Sequence, residues 1–97
     1  MPVQLRVYEI EPGRARDFAG EWSAKVLPLR QVFGFAVLGA WVSDSESTFA
    51  WLLSHDEDFE AADTAYYASP ERAALDPDPA RLVARIVVTT MVEPVVP

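Results

Sequence analysis

The sequence contains no cysteine and a single histidine. Without cysteine there can be no disulfide, no thiolate nucleophile and no cysteine-type zinc site. A lone histidine also leaves any metal site without a second imidazole, so no metal is expected. Basic residues are few, eight against fifteen acidic, for a net charge of −7, and none of them form a run. Neither the electrostatic footprint of a nucleic-acid binder nor a polybasic membrane patch is present, so neither partner is expected. No apolar stretch approaches the ~20 residues of a membrane span. The four glycines are scattered, which rules out a phosphate-cradling loop, and there is no nucleophile elbow or paired-carboxylate motif. No cofactor is expected. The start, "MPVQLRVYEIEPG", enters a strand pattern at once, without a charged n-region and apolar h-region. This predicts a soluble, cytoplasmic protein.

What the chain has in quantity is apolar surface. At 97 residues it is read as one domain, 1–97, able to bury roughly 65% of its unfolded surface. Half of it is hydrophobic and 11% aromatic, rich for so small a core. Some of that surface is expected to meet another subunit.

Val3 to Ile10 alternates with period two, with Val3, Leu5 and Val7 on one side and Gln4, Arg6, Tyr8 and Ile10 on the other. Pro12-Gly13 ends this strand. From Ala15 the apolar spacing shifts to 15, 18, 22, 26, 29 and 33, one helical stripe, with a kink expected at residues 24–28 because Pro28 lies inside it. Gly34 stops the helix. "FAVLGAWV" (35–42) and "TFAWLLSH" (48–55) predict a hairpin, with Phe35, Val37 and Trp41 on one side and Leu38, Ala40 and Val42 on the other. A second helix is expected over 56–68, with Phe59, Ala62 and Tyr66 inward and Asp63 and Tyr67 at the margins. A short helix from Ser69-Pro70 to about Leu75 follows, and Leu82 to Val92 predicts a fourth strand. The order βαββαβ is the ferredoxin-like α+β arrangement, a four-stranded antiparallel sheet with helices on one face. Both faces of the hairpin are apolar while helices cover one. A homodimer joined through the uncovered sheet face is therefore expected.

The stretches "YEIEPGRARDFAGEW", "PLRQVFGF", "GAW" and "WLLSHDEDFEAADTAYYASPERAALDPDP" resemble the NIPSNAP family, in register over nearly the whole chain. The resemblance implies a dimeric α+β barrel. It implies little about chemistry, because the activity of small NIPSNAP-like proteins is largely undefined and the family supplies no catalytic set to carry over. Structural cousins of that barrel include cofactor-independent monooxygenases, haem-degrading enzymes and lactone isomerases, with pockets between sheet and helices.

Candidate site residues come from the polar groups near the aromatic wall. His55 follows Phe49, Trp51 and Leu53 in alternation and is the candidate general base, against a hydrogen-bonded structural histidine at a strand end. It is also the one possible axial ligand if haem were bound. The acids after it, Asp56, Glu57 and Asp58, are explained by a helix start. Tyr66 faces the sheet and is the second catalytic candidate, with core packing as the alternative. Arg6 and Tyr8 share a strand face whose direction the alternation does not decide. Arg30, about 70° from the stripe centre, is a candidate for a carboxylate ligand at a pocket mouth, against a plain salt bridge. Trp22 and Trp51 could stack on a planar ligand or serve as core. Two functions follow: a site for a small apolar or aromatic molecule between sheet and helices, with cofactor-independent oxygenase or isomerase activity, or a non-catalytic homodimeric binding or accessory protein.

Overall fold

The structure, a computed structural model, describes residues 2–96. β1 (Val3–Ile10) is followed by α1 (Ala15–Glu21), a π-helical turn (Trp22–Val26) and α2 (Leu27–Val32). The hairpin β2 (Phe35–Val42) and β3 (Thr48–His55) comes next, then α3 (Phe59–Ala68), α4 (Pro70–Ala73), a 3₁₀ turn (Pro79–Leu82) and β4 (Val83–Val92). The strands form one antiparallel sheet in the order β2-β3-β1-β4. This is the expected ferredoxin-like α+β fold, and the strand boundaries of β1, β2 and β3 coincide with the alternating segments.

Local chemistry explains the helix starts. Asp58 caps α3 by accepting from Ala61 N–H at 3.1 Å, so the helix begins at Phe59, three residues later than expected. Ser69 caps α4 by accepting from Arg72 N–H at 3.1 Å, with Pro70 at the first helical position. That helix ends at Ala73, and Asp78 caps the 3₁₀ turn through Ala80 N–H.

The first helix departs from the single kinked stripe in an informative way. Pro28 has no N–H to return to residue 24, and the chain resolves this with a π turn in which Leu27 N–H bonds to Trp22 C=O, five residues back. One additional residue is accommodated in that turn. The buried positions accordingly run Ala15, Phe18, Trp22, Val26 and Arg30, rather than continuing through Leu29 and Phe33, which are half-buried.

A second irregularity re-aims a strand. Val37 pairs with Leu53 but Gly39 pairs with Leu52, so Leu38 is a bulge. Beyond it Ala40 and Val42 stand opposite Trp51 and Phe49 on the helix side, and Trp41 stands opposite Ala50 on the other. The expectation that Trp41 shares a face with Phe35 and Val37 is thereby corrected. Trp41 is 56% exposed, and its ring lies across Gly39, where an added Cβ would come within 2.5 Å of it.

The core sits between sheet and helices. Phe18, Trp22, Phe35, Phe49, Trp51, Leu53, Phe59 and Tyr66 fill it, with edge-to-face and tilted ring pairs such as Phe18–Phe49 at 4.9 Å and Trp22–Trp51 at 5.3 Å. The opposite face of the sheet presents Leu5, Val7, Trp41, Ala50, Leu52 and Val88 by cross-strand register and carries no helix.

Candidate functional site

β1 turns Arg6 and Tyr8 toward the helices, opposite Trp51 and Phe49 of β3. That decides the orientation left open by the alternation. From the other layer, the π turn brings Arg30 inward, and α3 presents Asp63, Tyr66 and Tyr67 one turn apart on its inner side.

These residues meet in one network. Arg6 and Arg30 both donate to Asp63 Oδ1, at 3.0 and 2.7 Å, and both donate to the Tyr67 hydroxyl, at 2.9 and 3.2 Å. Arg6 is 5% exposed and Arg30 1%. Two buried guanidiniums thus share a single carboxylate oxygen, which leaves one positive charge in excess. Arg30 is further held by rings: its Cζ lies 3.8 Å from the Tyr66 centroid and 4.7 Å from that of Phe35. Desolvation opposes the Arg6 charge, but attraction from Tyr67, Tyr8 and Asp63 outweighs it and holds its pKa above the usual value.

Beside this network lies a cavity of about 620 Å³ between the sheet and the helices. Its deep wall is Tyr8, Phe18, Trp22, Trp51, Tyr66 and Arg30, and its rim is built by the 3₁₀ turn, the start of β4 and Arg72. Arg72 and Arg85 at the rim pair with Asp78 and Glu9, each at 3.1 Å. Trp51 Nε1–H donates to the Tyr8 hydroxyl at 3.1 Å. Burial pushes the Tyr66 hydroxyl above its ordinary pKa, a rise that Arg30 and Arg72 partly offset, and burial raises Tyr8 likewise against the pull of Arg6. Both phenols are therefore neutral at physiological pH.

Three polar atoms of residues that line the cavity are themselves fully buried and have no hydrogen-bond partner among the described residues: Trp22 Nε1, Arg30 Nε and the Tyr66 hydroxyl. Arg30 Nη1 and Nη2 are committed to Asp63 and Tyr67, so the guanidinium is fixed in orientation while its Nε–H edge stays unpaired.

Of the residues singled out in the sequence, Tyr8, Trp22, Arg30, Trp51 and Tyr66 line this one cavity, and Arg6 braces it from behind through Asp63 and Tyr67. His55 does not join them. Glu57 N–H donates to its Nδ1 at 3.1 Å, which makes Nε2 the protonated nitrogen, placed 3.1 Å from the Phe33 carbonyl. Both ring nitrogens are engaged by backbone, so the roles of general base and axial ligand are withdrawn for His55; it joins the end of α2 to the start of α3. The residue that sequence reasoning undervalued is Asp63, set aside at a helix margin. A carboxylate one turn before Tyr66 and Tyr67 on an otherwise apolar face was the signal. Among the described residues, no group of three or more His, Asp or Glu is placed to hold a metal ion, and no helix is long and apolar enough to cross a membrane.

No family model and no curated protein matches the sequence. Solved structures do. An uncharacterized NIPSNAP domain protein from Burkholderia xenovorans superposes with a TM-score of 0.81 at 19% identity, over 97% of this chain and 94% of that one. A NIPSNAP family protein from Agrobacterium tumefaciens gives 0.82 at 14% identity, over 96% and 91%. A protein from Bacteroides thetaiotaomicron described as a putative antibiotic biosynthesis monooxygenase gives 0.73 at 18% identity, over 99% and 90%. The fold is the one these NIPSNAP and monooxygenase-like α+β barrel proteins share, as the resemblance in sequence implied.

Proposed function

From the fold it shares with NIPSNAP proteins, we propose that this chain binds a small apolar or aromatic molecule in the cavity between its sheet and helices. The observation that carries the reading is the cavity: about 620 Å³, within the range of small-molecule sites, and walled by aromatic rings. Two readings of what happens there differ in chemistry. Cofactor-independent oxygenation, which the resemblance in sequence implies and which accords with a neighbour described as a monooxygenase, would rely on the substrate's own reactivity, with cavity-lining residues such as Trp22 and Tyr8 touching it. The alternative is a non-catalytic binding or accessory protein. A specific observation favours binding over acid-base isomerisation: among the described lining residues there is no histidine or carboxylate, and the two phenols are held neutral.

The same reading includes a homodimer. The helix-free sheet face is apolar, with Leu5, Val7 and Leu52 on its two central strands and Trp41 on the edge strand β2. A second copy related by a two-fold axis would cover it with the same surface.

Native mass spectrometry of untagged protein, purified gently from its own cells, tests the reading. A dimer carrying a defined small molecule is expected, and Ala84→Trp, at the exposed bulge of β4 on the cavity rim, should remove the molecule without changing subunit number. Retention of the molecule by that variant would place it elsewhere and reject the cavity as its site.

A further inference from the structure

Between α4 and β4 the chain passes along the cavity, and Pro79 and Ala80 form part of the wall. This stretch is stiff within itself. The Asp78 side chain accepts from Ala80 N–H at 2.9 Å and its carbonyl from Arg81 N–H at 3.2 Å, while Pro77 and Pro79 each fix one backbone angle. It is anchored at its far end, where Leu82 is buried and its carbonyl accepts from Glu11 N–H at 2.9 Å. Between the anchors its hold is different: among the described residues, no backbone hydrogen bond ties 76–81 to α1, the π turn or β1.

Side chains hold it instead. Arg81 grips Glu21, the last residue of α1, with both terminal nitrogens at 2.6 and 2.8 Å, and Lys25 of the π turn donates to the Pro77 carbonyl at 3.2 Å. Arg72, itself a cavity residue, pairs with Asp78 at 3.1 Å. The hydrogen bond from Arg81 holds the Glu21 carboxyl below its usual range; burial opposes the Asp78 charge, but bonds from Arg72 and Ala80 N–H outweigh it, so both clasps are charged at neutral pH. The clasps reach solvent, with Arg81 42% and Asp78 47% exposed, and such pairs are individually weak. The buried ring of Pro79 adds an apolar contact. A segment held in this way opens at a lower free energy than the strands beneath it.

Resting on the reading of this cavity as a ligand site, we infer that residues 76–81 are its door. Released from Glu21, Lys25 and Arg72, the segment swings between its fixed ends at α4 and Leu82, takes Pro79 and Ala80 out of the wall, and admits or frees a ligand. Glu21, Lys25, Asp78 and Arg81 set how often it opens. Arg72 belongs to both wall and clasp, so closing the door also returns Asp78 to a cavity arginine.

The test needs no ligand. Trp22 and Trp51 line the cavity and are 5% and 1% exposed, so in a Trp41→Phe background, which removes the exposed indole, acrylamide quenching of fluorescence reads small-molecule access. Hydrogen exchange followed by mass spectrometry reads the segment itself. Glu21→Gln with Asp78→Asn removes both charged clasps and keeps their shapes, and asparagine still caps the turn. Loss of an exposed pair shifts such an equilibrium by about two- to fivefold, so the double variant should raise exchange over 76–82 by about fourfold or more and raise quenching with it, while β1 and β3 keep their protection. Arg16→Ala, which breaks an exposed pair with Glu46 away from the cavity, should change neither. Exchange and quenching that stay at the level of Arg16→Ala would overturn the inference, as would faster exchange over 76–82 with the quenching of Trp22 and Trp51 unchanged, because the segment would then move without opening the cavity. Exchange that rises equally in β1 and β3 would reveal a global loosening and overturn it too. Each of these failures would leave the ligand-site reading standing, since that reading depends on the molecule retained in native mass spectrometry.

Discussion

Asp63→Asn isolates the network on which the cavity depends. The substitution is nearly isosteric and keeps an oxygen where Arg6 and Arg30 donate, but it removes the one carboxylate the two buried guanidiniums share. Taking one partner from a buried ion pair typically costs 3–5 kcal/mol. Here the Asp63 side chain is 26% exposed and the amide retains an acceptor, so solvent and the surviving hydrogen bond reduce this to about 2–3 kcal/mol. For a domain of this size that corresponds to a fall of about 10–20 °C in Tm. The assay is urea unfolding at neutral pH followed by circular dichroism, with an unchanged m-value as the sign that the denatured state is unaffected. A parallel Arg85→Ala variant removes an ion pair whose side chains are 67% and 49% exposed, and should change stability by no more than about 0.5 kcal/mol. An Asp63→Asn protein that unfolds within about 0.5 kcal/mol of the parent would refute the reasoning, since that is the range of an ordinary surface change.

Three further outcomes are expected. Gly34→Ala should destabilise by about 1–3 kcal/mol in urea unfolding, because φ is +87° and the new Cβ would lie 2.8 Å from His55 Nε2; Gly13→Ala, at φ +72° with open space around it, should cost less. Trp41→Ser should shift a sheet-to-sheet dimer toward monomer in light scattering while leaving near-ultraviolet dichroism of the core in place, since Trp41 lies outside it. Tyr8 and Tyr66 should ionise above the usual tyrosine value in an absorbance titration, because burial favours their neutral forms. In the unfolded chain they ionise near pH 10, so their contribution to stability is full below about pH 10 and is lost as pH rises through the higher folded-state values.

Much of this architecture was legible because period-two and helical spacings are strong signals when every inward position is apolar. β1, β2 and β3 fall where alternation put them. Two of the failures share a physical origin, a single residue added to a regular repeat. The bulge at Leu38 turns Trp41 away from the core, and the π turn moves Arg30 from the margin to the centre of its stripe; no spacing rule that assumes a constant period finds either. His55 misled for a different reason. Its position on the strand was right, but its partners are backbone groups of the neighbouring helix ends, and backbone partners leave no mark in side-chain pattern. Asp63 was passed over because a carboxylate at a helix margin is ordinary until two arginines from distant segments are seen to converge on it.

The π turn makes the electrostatic character of the cavity a matter of helical phase. Each residue advances an α-helix by about 100°, so winding Trp22–Val26 as a regular α-helix at unchanged length, as Pro28→Ala would permit, would rotate everything after it. Leu29 would then move to the centre of the buried stripe and the guanidinium of Arg30 off the cavity wall, leaving Asp63 and Arg6 as a simple pair behind an apolar pocket. The charge of the cavity wall is thereby set by the phase of the first helix, and can change with no substitution among the residues that form the wall.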